Sequence, residues 1–150
     1  MGYKFTPKVS GQVTKLGGFF NGTKRVYLWD VSTTVIIAQT VITSANNWAY
    51  VPISPVNVTA GKTYMVAAYL AGNGASERRS TILPKTYGNI TINAGCYKVD
   101  FAMPDYCATN YVWGQADIEF RSGGVQGVRT TNFLERLFSQ IESRLFNLLK

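Results

Sequence analysis

Asp117 and Glu119 lie two residues apart, and on a strand side chains at that spacing share a face. Two carboxylates so placed are the minimum for acid–base or glycosidase chemistry. No second essential group is placed near them, and the surrounding stretch reads as a core-adjacent strand, so a structural role is expected for both. The chain contains no histidine. That removes the commonest general base at neutral pH, the Ser–His and Cys–His nucleophile pairs, and every His-ligated zinc or iron site. Asp100, Asp105, Asp117 and Glu119 are oxygen donors of the kind calcium takes, but they lack EF-hand spacing. Cys96 and Cys107 match no metal motif. They are a candidate disulfide between neighbouring strands, or two buried thiols. The expectation is no enzyme, no metal and no cofactor.

What remains is chemistry of contact. Aromatic faces stack on sugar rings through the same apolar contacts that pack cores. Trp29 and Trp48 read as core, whereas Tyr106, Tyr111 and Trp113 lie in a turn-rich stretch and are the better candidates for ligand contact. Arg78 and Arg79 join them from the longest irregular stretch, 71–89, which reads as a partner-facing loop. The formal charge is +7, from 15 Lys and Arg against 8 Asp and Glu. The basic residues are scattered, with Lys24–Arg25 and Arg78–Arg79 as the adjacent pairs. This favours a solubilising surface, or an acidic neighbour in an assembly, over nucleic acid. Asn-x-Thr sequons at Asn21, Asn57 and Asn89 matter only in a glycosylating secretory route.

These residues need a frame, and residues 1–121 read as all-β. Short β-branched and apolar runs alternate with Gly, Asn, Pro and Ser. Candidate strands are 3–6, 11–20, 26–30, 34–43, 48–53, 63–70, 90–92, 96–101 and 115–120. In 63–70, Tyr64, Val66, Ala68 and Leu70 fall on one face and Met65, Ala67 and Tyr69 on the other. Both faces are apolar, which predicts a central strand covered twice. The number of strands and the turn spacing predict an antiparallel β-sandwich or jelly roll.

A glycine-rich linker, 122–131, follows. The period then becomes helical over 132–150, with Asn132 as N-cap and Glu135 completing a capping-box pair. Leu134, Phe138, Ile141, Leu145 and Leu148 form a heptad seam, widened by Leu137 and Leu149. So short an amphipathic helix needs a burial site. The favoured one is self-association, with a trimer as first guess. The competitors are a groove on another structural protein, this chain's own sandwich, and, least favoured, a membrane surface. The N-terminal residues lack the charged and apolar regions of a signal peptide, and no apolar run is long enough to span a bilayer. The expectation is a chain kept inside a cell until release, or one whose leader was removed.

Four segments resemble a known family. They are Gly2-Tyr-Lys-Phe-Thr-Pro-Lys-Val-Ser-Gly-Gln-Val-Thr-Lys-Leu16, Val26-Tyr-Leu-Trp-Asp30, Trp48 with Val51, Ile53 and Pro55-Val-Asn-Val-Thr-Ala-Gly-Lys-Thr-Tyr64, and Asn110-Tyr-Val-Trp-Gly-Gln-Ala-Asp-Ile-Glu-Phe120. In that order they are similar to the conserved segments of the DUF4082 family, β-sandwich modules found in multidomain secreted bacterial proteins. The resemblance implies the sandwich over about residues 2–120 and suggests carbohydrate or surface binding. It leaves the helix unexplained.

A leaderless adhesive sandwich with a self-association stripe fits a phage virion component, made in the host cytoplasm and released by lysis. The function expected is therefore a non-enzymatic structural or adhesive protein, a capsid decoration or fibre protein assembled or anchored through its helix. The alternative is a glycan-binding module of an extracellular bacterial surface protein.

Overall fold

The computed structural model describes residues 1–70, 78–123 and 129–130. Among the described residues the chain is all-β and every strand pairing is antiparallel. The helix expected over 132–150, with Leu134, Leu137, Phe138, Ile141, Leu145, Leu148 and Leu149, lies outside the described residues.

The strands are β1 (Gly2–Pro7), β2 (Gly11–Asp30), β3 (Val35–Val58), β4 (Tyr64–Tyr69), β5 (Arg78–Ser80), β6 (Lys85–Tyr87), β7 (Ile90–Tyr97), β8 (Tyr106–Ala108), β9 (Tyr111–Trp113), β10 (Ala116–Ser122) and β11 (Arg129–Thr130). The main sheet runs β11-β10-β2-β4-β1-β7-β6, with β3 also paired to β2 and β8 to β7; β5 and β9 form a separate ribbon.

A long hairpin, β2–β3, is its backbone. The expected strands 11–20 and 26–30 are one strand, and so are 34–43 and 48–53. The polar stretches between them read as turns, yet Asn21, Gly22 and Thr23 pair with Ala45, Ser44 and Thr43. Irregularities let the long strands bend: the register shifts at Val13/Lys15, Phe20/Asn21 and Leu28/Trp29, and Asn46 sits at φ 57°. At the hairpin's tip Asp30 accepts bonds from the Ser32 backbone N–H (3.0 Å) and hydroxyl (2.7 Å), an Asx-type turn. Lys62 pairs with the other Asp30 oxygen at 2.5 Å. This joins the tip to the turn before β4, where Gly61 adopts φ 76°.

One edge of β2 serves two neighbours in succession: residues 11–18 pair with β10 and residues 25–30 with β4. The principal apolar cluster accordingly draws on β1, β2, β4, β7 and β10, with Phe5, Leu16, Leu28, Val66, Ile92 and Ile118 all essentially inaccessible. A second cluster, Tyr27, Trp29, Met65, Ala67, Ala94 and Cys96, contains none of the first cluster's residues. β4 divides as its alternation predicts: Tyr64, Val66, Ala68 and Leu70 join the first cluster, Met65 and Ala67 the second, while Tyr69 is exposed. Its neighbours in the sheet are β2 and β1.

Candidate functional site

The site is assembled at the end of β7. The expected strands 90–92 and 96–101 are replaced by one strand that stops at Tyr97, and residues 98–105 are irregular. β8 pairs with this end, setting Cys96 opposite Cys107 and Tyr97 opposite Tyr106. Cys96 and Cys107 are disulfide-bonded, with Cα atoms 4.1 Å apart. β9 packs on β7 at Gly95, where a Cβ would come within 2.7 Å of the Val112 Cα. Glycine is therefore what permits the approach.

The irregular stretch expected over 71–89 contains β5, which pairs with β9 in the register Arg78↔Trp113, Arg79↔Val112 and Ser80↔Tyr111. Four of the residues expected at a contact surface thus come together: Arg79 with Tyr111 and Trp113 on the ribbon, and Tyr106 through a ring that sequence reasoning missed. Arg78 is placed beside Trp113 by its backbone register. The missing ring is Tyr97. It lies 5.5 Å from Tyr106 and 5.6 Å from Trp113, which is 5.6 Å from Tyr111. Tyr106, Tyr97, Trp113 and Tyr111 therefore form a continuous strip of rings. Tyr106 is 71% exposed, and the other three are half-buried. Trp113 Nε1 is buried without a hydrogen-bond partner.

Tyr97 also borders a cleft of about 280 Å³, whose walls include Tyr27, Trp29, Tyr69 and Phe101. Phe101 packs on Tyr27 at 5.1 Å and on Tyr69 at 5.3 Å, and Lys98 pairs with Asp105 at 2.5 Å across the base of the loop that carries it. Lys98 holds the Asp105 carboxyl below its usual range. Trp29 lies buried beneath this surface as expected of a core residue, and Trp48 packs against the principal core half-buried. The signal in sequence for Tyr97 is its place next to Cys96, in a stretch whose β pattern runs on past Tyr97, where the strand ends.

The carboxylates are engaged elsewhere. Asp117 is fully buried and accepts bonds from the Tyr3 hydroxyl (2.7 Å), the Tyr50 hydroxyl (2.8 Å) and the Ile118 N–H (2.8 Å). Gly17 lies between Tyr50 and Asp117 in the sheet register, and a Cβ there would come within 2.7 Å of the Tyr50 ring. Burial, reinforced by Asp117, holds the Tyr3 hydroxyl well above the usual tyrosine range, so it stays a donor. Glu119 pairs with Lys15 (2.9 Å) and Arg121 (3.0 Å) and accepts from the Thr14 hydroxyl (2.9 Å). Burial pushes its carboxyl up, but these partners outweigh that and hold it below its ordinary range. Asp117 and Glu119 thus serve separate structural networks. No grouping of metal-ligating side chains occurs among the described residues.

The model of one family, a domain of unknown function designated DUF4082, matches residues 1–113. No curated protein matches the chain, and no solved structure does.

Proposed function

The chain belongs to the DUF4082 family, and on that premise we propose that it is a non-enzymatic adhesive module that holds a glycan on the strip Tyr106–Tyr97–Trp113–Tyr111. The observation that carries this reading is the strip itself. Its rings stand on three strands, two of them pinned together by a disulfide, with Arg79 on the neighbouring strand. Rings held on paired strands lose little freedom when a sugar stacks on them, so most of the stacking energy is available for affinity. The engagement of Asp117 and Glu119 in structural networks supports a module without catalysis.

The finer architecture belongs to the same proposal: a jelly-roll sandwich followed by a C-terminal amphipathic helix. It is supported by the succession of β10 and β4 along one edge of β2 and by the heptad spacing from Leu134 to Leu148. That helix would assemble the module, or anchor it on another structural protein, as in a decoration or fibre protein of a virion. Attachment to a bacterial cell surface is the alternative setting.

A glycan array probed with the full chain tests the binding reading. Binding is expected, with loss of about 1–3 kcal/mol, roughly fivefold to more than a hundredfold in Kd, on Trp113→Ala or Tyr97→Ala. A folded full chain that binds no glycan on the array would overturn it.

A further inference from the structure

We infer that the outer edge of β3, over residues 38–45, is a self-pairing edge on which a second copy of this chain adds its own 38–45 antiparallel, about a two-fold axis. β3 pairs with β2 along its whole length, and among the described residues no strand lies on its other side. An edge of this kind presents a row of unpaired N–H and C=O groups that another strand can complete. Proteins usually blunt such edges with short strands, bulges, prolines or charge.

Of β3, residues 38–45 are the longest stretch free of these devices; a shorter regular stretch, 47–51, ends at Pro52. Register shifts lie opposite Trp29, Asn21 and Lys15, and Pro52 and Pro55 interrupt the C-terminal half. Between Ala38 and Ala45 the pairing with β2 is regular, residue for residue, from Leu28 to Asn21. The sheet's other described edge strands, β6, β8 and β11, are short.

The occupant follows from charge and side-chain pattern. In a chain of net charge +7, no charged residue occurs between Asp30 and Lys62. The edge is thus neutral where the rest of the molecule would repel a copy of itself. The nearest cations, Lys24 and Arg25, lie one strand in, on β2. In a paired dimer, Arg25 of one copy and Arg25 of the other would be three strand spacings apart, about 14 Å. This is beyond the roughly 10 Å over which charges are felt at 0.1 M salt.

The segment alternates, with Ile42 and Ser44 buried and Gln39, Val41, Thr43 and Ala45 exposed. Antiparallel pairing about Val41 sets Val41 against Val41 and Gln39 against Thr43. Pairing about Ile42 sets Val41 against Thr43. Either register gives each outward side chain a partner it tolerates, with no like charges opposed. The contact is two-fold and closes on itself, so it yields a dimer and not a fibre. It is also small, so the dimer should be weak and reversible.

The test is oxidative cross-linking of the full chain carrying Val41→Cys, with the exposed Ile82→Cys as control. Covalent dimers are expected from Val41→Cys in excess over the control, and Gln39→Lys in the Val41→Cys background should abolish the excess by placing cations at the edge. The inference would be overturned by yields equal to the control, by an excess that Gln39→Lys leaves unchanged, or by a Val41→Cys thiol shielded from maleimide in a monomer, which would mean that this chain covers its own edge. A cross-linked product between Val41→Cys and an unrelated protein, without homodimer, would assign the edge to a different partner and would equally overturn it.

Discussion

The buried carboxylate of Asp117 shows how far one side chain's role depends on neighbours distant in sequence. Read from its own stretch it is half of a candidate acid–base pair. In the fold it is the acceptor for two tyrosine hydroxyls and a backbone N–H. Removing it would leave buried donors unpaired, which costs more than the bonds themselves. Asp117→Ala is expected to lower unfolding free energy by about 2–5 kcal/mol, measured by urea denaturation, whereas Asp117→Asn keeps one acceptor oxygen and should cost less.

Asp30 makes a separable prediction. Lys62 first, then Ser32, holds its carboxyl down to about 2, against an ordinary value of 3.8. A depressed pKa stabilises the fold above the ordinary value, and that contribution is lost as pH falls towards the folded one. The wild-type urea midpoint should therefore exceed that of Asp30→Asn at neutral pH, and the gap should close as pH falls from about 4 to about 2. A gap that persists at the acid end would contradict this account.

At the scale of elements, legibility depended on how regular each strand is. β4 could be read face by face because its alternation is unbroken from Tyr64 to Leu70. In sequence β2 and β3 each read as two strands, because Asn21-Gly22-Thr23 and Ala45-Asn46-Asn47 carry turn residues where the strands only shift register. Local composition does not reveal that two such stretches face one another. The strands β5, β8 and β9 have three residues each, too few to show a period, and they owe their conformation to pairing. Hence Tyr106, Tyr111 and Trp113 were legible as contact candidates, while Tyr97, which links them, was not.

Gly95 is the element-level device beneath the strip. Gly95→Ala should force β9 away from β7, costing about 1–3 kcal/mol by overpacking. Thermal unfolding would register that loss, and weaker glycan binding should accompany it, because Trp113 moves with β9. An unchanged melting temperature would show that β9 can yield without cost.

For the whole molecule, the proposed roles call for two kinds of surface on one chain. One would be the aromatic strip, for a ligand; the other would be the β3 edge and the heptad seam, for contact between copies. The heptad seam over 134–148 predicts an assembly larger than the weak edge pair. Light scattering of the full chain should give an oligomer mass, and deletion of 131–150 should reduce it to a single chain, or to a weak dimer at high concentration. A mass of one chain in both cases would remove the seam's proposed role. The neutral β3 edge and the seam can be told apart, since Gln39→Lys should act on the first and leave the second intact.

The link between Cys96 and Cys107 has a consequence of place and time. Disulfides close and persist where thiols are oxidised, and not in a reducing cytoplasm. Before the link closes, β8 hangs on the end of β7 by a three-residue pairing, and Tyr106 rides on it. The outermost ring of the strip is thus the part of this surface whose position answers to the chain's surroundings as well as to its sequence. A protein folded in one compartment and working in another would carry its grip unfinished until it arrived.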